Sequence, residues 1–176
     1  MGPDHPQKEI YEESKHGIAY RDMKGQMNLD SAKWVLGEDY SAAPTCATCH
    51  MSATKDLPVT HDPRERIAWN NRPPASTRMD TDAHGNQVPP DGDIASPWTD
   101  KRATMKSVCR HCHAPSYVDG FFQQYDDYVE LYNAKYANPG KKLMGALKSK
   151  GLITKEPFDE KIEWTWFFLW HHEGRR

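Results

Sequence analysis

The sequence is poor in apolar residues and has no long apolar run. Only 37% of its 176 residues are hydrophobic, and its mean hydropathy is -0.90. The longest apolar stretch, Trp164 to Trp170, falls far short of the roughly 20 residues a membrane-spanning helix needs. Charge of either sign is not in excess. A formal net charge of -2 leaves no electrostatic footprint for nucleic acid or an anionic membrane surface. The first residues, Met1 to Gln7, are polar and lack the apolar core of a secretion signal. Strand-like alternation is also missing. Cysteine is scarce, and all four copies fall into two short blocks.

Those blocks are Cys46-Ala47-Thr48-Cys49-His50 and Cys109-Arg110-His111-Cys112-His113. Each is Cys-x-x-Cys-His, the attachment site of a c-type haem. In such a site the thiols form thioethers with the haem vinyl groups, and the adjacent histidine reaches the iron. Zinc binding is the weaker reading. Paired Cys-x-x-Cys elements of a zinc site usually lie across a short loop, and zinc does not explain a histidine after each second cysteine. The sequence therefore predicts two covalently attached haem c groups, with His50 and His113 as proximal ligands. Two large apolar plates would also compensate for a thin protein core. The 6 Trp, 8 Tyr and 5 Phe suit their surroundings.

Along the chain, Pro6 and the acids that follow predict a helix to about Tyr20 that carries His16. Gly17 beside His16 is expected to leave room for a haem face. Ser31 is placed to cap a short helix through Ala32, Trp34 and Leu36, ended by Gly37. Residues 76–96 read as an exposed polar loop. Thr99 is expected to cap the helix leading to the second motif. Phe121, Tyr125, Tyr128, Tyr132 and Tyr136 form one aromatic stripe at helical spacing, which Asn138-Pro139-Gly140 should stop. A helix from Lys141 to Lys150 should close at Gly151, and Pro157 should open the last one. The fold class is all-α: a multihaem cytochrome with few or no strands. It is read as one segment, 1–176, with haem motifs at 46–50 and 109–113 and a helical part at 117–176. Haem c is attached outside an energy-conserving membrane, so the sequence reads as an internal part of a larger exported protein.

A low-spin electron-transfer haem takes a second strong axial ligand, usually His or Met. His16, His61, and one of His171 and His172 are the candidates, weighed against ordinary solvated or core histidines. His111 should point away from its haem, and His84 reads as a surface loop residue. Arg64, Arg66, Arg72 and Arg110 are candidates for pairing with haem propionates. Asp4 and His5, held between Pro3 and Pro6, set a carboxylate beside an imidazole. Such a pair can shuttle protons.

Several stretches together resemble the octahaem hydroxylamine oxidoreductases, a family that includes hydrazine dehydrogenases. They are Met1 to Gln7, Glu12 to Gly17, Pro44 to Ser52, Thr60-His61-Asp62, Trp69 to Pro74, the second haem motif, and Trp170 to Arg176. The resemblance covers nearly the whole chain except the polar loop. It implies that the two haems are the last two of eight. It implies an exported homotrimer that oxidises hydroxylamine or hydrazine at a specialised haem and sends electrons along bis-histidine haems to a partner cytochrome. The compartment would be the periplasm, or the anammoxosome lumen in an anaerobic ammonium oxidiser. Asp4 and His5 match the family's proton acceptors over the catalytic haem. His16, His61 and one of His171 and His172 match its distal ligands. The attachment motif of the catalytic haem and the tyrosine that cross-links to it are not among these residues. Members without the cross-link tend to be reductive, acting on nitrite. A reductase of nitrite or hydroxylamine, or a non-enzymatic electron carrier, is the alternative.

Overall fold

The computed structural model describes residues 6–71, 74–88 and 93–171. Most of its regular structure is helical, and its four strands are two residues each. The chain divides into two compact units. The first comprises Met1–Ala68 and Met79–Gly120; the second comprises Trp69–Arg78 and Phe121–Arg176.

The first unit opens with α1 (Gln7–Glu13) and α2 (Lys15–Met23), where the sequence predicted one helix. Ser14 divides them. Its hydroxyl donates to the Tyr11 carbonyl at 2.6 Å and accepts from Gly17 N–H at 3.2 Å, which caps the second helix. Gly17 is required by this junction. A Cβ there would overlap the Tyr11 carbonyl oxygen. The expected helix after Ser31 does not form. Ser31 Oγ accepts from Lys33 and Trp34 N–H, but Asp39 takes Val35 N–H at 2.7 Å and the Ser31 hydroxyl at 2.8 Å. These bonds bend the chain into turns, with Gly37 at φ +94°.

Next come α3 (Cys46–His50), the paired strands β3 (Asp80–Thr81) and β4 (Gln87–Val88), and α4 (Trp98–Cys109). Residues 76–96 thus include short strands, and Ser76, Met79, Asp80 and Thr81 are buried. The exposed loop predicted there is only partly present. Helix α4 starts one residue before Thr99. Its cap comes from β3: buried Asp80 accepts Trp98 N–H at 2.6 Å. The small core joins Leu36, Tyr40 and Val108, with Met27, Trp34 and Leu57 against them.

In the second unit, β1 (Trp69–Asn70) pairs antiparallel with β2 (Thr77–Arg78). This hairpin is fastened to helix α5 (Pro115–Tyr132) and to the π turn Asn133–Ala137 that follows. Asp126 accepts from Trp69 Nε1 at 2.8 Å and from Arg78 Nη1 at 3.2 Å. Asn133 closes a two-point clamp on the Ser76 backbone, at 2.8 and 2.9 Å. Helix α6 (Asn138–Ser149) continues directly, so Asn138-Pro139-Gly140 does not stop the rod. Proline is tolerated in the first turn of a helix, and the π turn supplies the altered register before it. As expected, α6 closes at Gly151. Leu152 N–H bonds the Leu147 carbonyl and Gly151 N–H the Lys148 carbonyl, a Schellman ending with glycine at φ +64°. The last helix, α7 (Lys161–His171), begins four residues beyond Pro157.

Candidate haem sites

Both pentapeptides lie in the first unit, and α3 packs against α4. The first motif is itself a helix, held by a reciprocal cap. Thr45 Oγ1 accepts Thr48 N–H at 3.3 Å, and Thr48 Oγ1 accepts Thr45 N–H at 2.9 Å. Thr48, 1% exposed, also bonds the Tyr40 hydroxyl at 2.7 Å. The second motif is the frayed end of α4. Cys112 and His113 N–H both return to the Cys109 carbonyl, at 3.1 and 3.0 Å. Val108, next to Cys109, belongs to the same core cluster as Tyr40. One packed cluster therefore fixes both attachment points.

The cysteines are all free thiols. Burial pushes the Cys49 thiol up to about 11, helped by the nearby Cys109, Cys46 and Cys112. Sulfurs of both motifs thus share one neighbourhood. Cys112 Sγ donates to the Ser41 carbonyl at 3.6 Å.

Two rings lie near His113. His16, from α2, faces it with centroids 6.0 Å apart, and Tyr117 stacks on it at 5.0 Å. Two imidazoles sharing one metal through bonds of about 2 Å each have centroids about 6 Å apart. The 6.0 Å separation is of that size, and His16 is the candidate distal ligand. Burial, then the neighbouring His113, holds His16 below the usual imidazole pKa, which favours the neutral ligand form. His16 is brought near by α1, whose Tyr11 hydroxyl donates to the Pro44 carbonyl at 3.0 Å, just before the first motif.

His50 is half-buried, and burial lowers its pKa. Its Nδ1 is buried without a hydrogen bond, although the Pro63 backbone lies near enough to favour the protonated ring. Hydrogen bonding of Nδ1 would leave Nε2 for a metal. His61 is exposed on a loop tethered to this motif by Thr60 N–H to the Met51 carbonyl at 2.9 Å. His111 and His84 are exposed. His171, in the second unit, stacks on Phe167 at 4.5 Å. Asp4, His5, Arg72 and His172 lie outside the described residues.

The arginines have other partners here. Arg64 binds Asp62 at 3.3 Å and Arg110 binds Asp119 at 3.2 Å. Arg66, 2% exposed, donates to the carbonyls of Cys49, Ser52 and Pro58. Sequence reasoning missed the roles of Thr48, Asp80 and Tyr117. Only Tyr117 had a readable signal, its position four residues after His113 at the start of a helix.

The four free thiols, the two following histidines and an opposed His16 suit covalent haem, and together they define a c-type multihaem cytochrome. The chain belongs to the multi-haem cytochrome CxxCH family, described as seven times multi-haem cytochrome CxxCH, whose pattern matches residues 1–159. It is 29% identical over 141 residues to a probable nitrite reductase-hydroxylamine oxidoreductase fusion protein of Kuenenia stuttgartiensis, covering 73% of this chain and 16% of that protein. Among solved structures it is similar to a hypothetical multiheme protein, with a TM-score of 0.76 and 21% identity over 98% of this chain and 45% of the other. It is also similar to a reducing HAO-like protein complex of Kuenenia stuttgartiensis, with a TM-score of 0.63 and 25% identity over 92% of this chain and 33% of the other. The chain thus spans less than half the length of these relatives.

Proposed function

We propose that this chain is the haem-bearing segment of a longer, exported oxidoreductase that takes electrons from hydroxylamine or hydrazine. The observation carrying the electron-transfer part of this reading is the approach of His16 and His113 to 6.0 Å in a unit that also holds the first motif. Likeness to a probable nitrite reductase-hydroxylamine oxidoreductase fusion protein supports small nitrogen compounds as the substrate class. Bound haem c would supply one-electron storage and passage. Cys46, Cys49, Cys109 and Cys112 hold the two groups, and His50 and His113 are their proximal ligands. His16 faces the second. His61, and one of His171 and His172, ligate haems of this or an adjoining segment. Removing electrons from an N–H or O–H compound also releases protons, and Asp4 with His5 is the pair proposed to accept them. The assembly is proposed to be a homotrimer in the periplasm or an equivalent exported compartment, served by a partner cytochrome.

Reduction of nitrite or hydroxylamine is the second reading, favoured by the likeness to a complex described as reducing and HAO-like. Steady-state turnover of the full-length parent, with hydroxylamine, hydrazine and nitrite in turn, separates the two. The oxidative reading expects electrons delivered to an added acceptor. Turnover only with nitrite and a reductant would replace it by the reductive one. Asp4→Asn with His5→Ala should lower turnover at least tenfold with haem content unchanged, and unaltered turnover would reject their role.

A further inference from the structure

Arg66 is a buried cation of the first unit that lies against the first haem motif. It is 2% exposed. Nη1 donates to the Cys49 carbonyl at 3.3 Å, and Nη2 to those of Ser52 at 2.9 Å and Pro58 at 3.3 Å. Nε is buried with no partner among the described residues. Each of these bonds goes to a neutral carbonyl. The acid that acts on it is Glu65, which is exposed. Buried Lys101, by contrast, has Asp62 and Asp80 as neighbours. Near the second motif, Lys106 and Arg110 share Asp119 at 2.9 and 3.2 Å, with Asp119 half-exposed. A buried guanidinium stays charged, and its field is weakly screened in a low-dielectric interior. Arg66 also acts on the His50 ring itself.

We propose that Arg66 is a positioning residue whose buried charge raises the reduction potential of the haem bound through Cys46, Cys49 and His50 above that of the haem bound through Cys109, Cys112 and His113. Reduction of a ferric haem adds one electron and lowers its charge by one, so a fixed cation nearby favours the reduced form. Paired, half-exposed cations do this far less. Of the two haems, the first is then the resting place of an electron shared between them. The inference rests on covalent haem at both motifs.

The test is redox-poised electron paramagnetic resonance of the full-length haem-loaded protein. His50→Met and His113→Met identify the first and the second haem by their changed signals. In the wild type, the first haem should be reduced at the higher potential; the reverse order overturns the proposal without any variant. Arg66→Gln should lower the potential of the first haem alone, moving electron sharing about tenfold or more toward the second. Arg66→Lys, which keeps the charge and loses the fork, should stay near wild type. An unmoved potential in Arg66→Gln would overturn the proposal, and equal shifts in both variants would show that loop geometry rather than charge matters. If Arg66→Gln does not assemble, the wild-type order and Arg66→Lys still decide. Intact mass counts the haems in each sample. Fewer than two on the wild type would instead overturn the haem assignment beneath the inference.

Discussion

Thr48 occupies one of the two unspecified positions of the first pentapeptide, where haem chemistry makes no demand. Its hydroxyl nevertheless meets Tyr40 and the Thr45 backbone from a site 1% exposed. Valine has nearly the same shape but leaves both partners unsatisfied. Thr48→Val should therefore cost about 1–3 kcal/mol of unfolding free energy, read as a lower urea midpoint with two haems still attached. His16 makes the complementary prediction. If it shares a haem with His113, His16→Ala should convert one low-spin haem to a high-spin signal and leave the other unchanged. Absorption and electron paramagnetic resonance would show this, and an unaltered low-spin spectrum would remove His16 from the ligand set. The identity of these residues was readable, but their partners were not. Nothing in the spacing of His16 from His113 announces a 6.0 Å approach, because the chain between them makes several turns.

Helix limits depended on the same kind of unseen neighbour. The Gly151 ending was legible because a Schellman motif is local and its glycine must adopt positive φ. Asp80 capping α4 from a strand 18 residues away was not legible. Nor was the continuation of α5 through a π turn, since Asn133 is held by the distant Ser76 backbone. Gly140 looked like punctuation, but it is a contact. A Cβ there would run into the Trp166 ring of α7. Gly140→Ala should destabilise the second unit by about 1–3 kcal/mol through overpacking. Gly120→Ala, in α5 with nothing within 4 Å of its would-be Cβ, should stabilise by about 0.5–1 kcal/mol. Hydrogen exchange of α6 and α7 in both variants would check the contrast; equal protection would show that the Trp166 contact is dispensable.

For the molecule as a whole, the haem count is the decisive quantity. Two Cys-x-x-Cys-His blocks predict an intact mass greater by two haem c groups, resistant to denaturation and visible on a haem-stained gel. Loss of both mass increments under denaturing conditions would show that the groups are not covalent. Class and cofactor were legible because they depend on local chemistry: a thiol pair and a histidine at fixed offsets within one helical turn, and helical periodicity over the C-terminal part. The primary structure thus determined what kind of cytochrome this is and where its two Cys-x-x-Cys-His blocks lie. The fold alone decided that Tyr40 and Val108 draw both motifs into one core, that His16 faces His113, and that Arg66 is buried against the Cys49 carbonyl. Those outcomes require residues far apart in the chain to meet, and long-range packing leaves no mark on the spacing of neighbours.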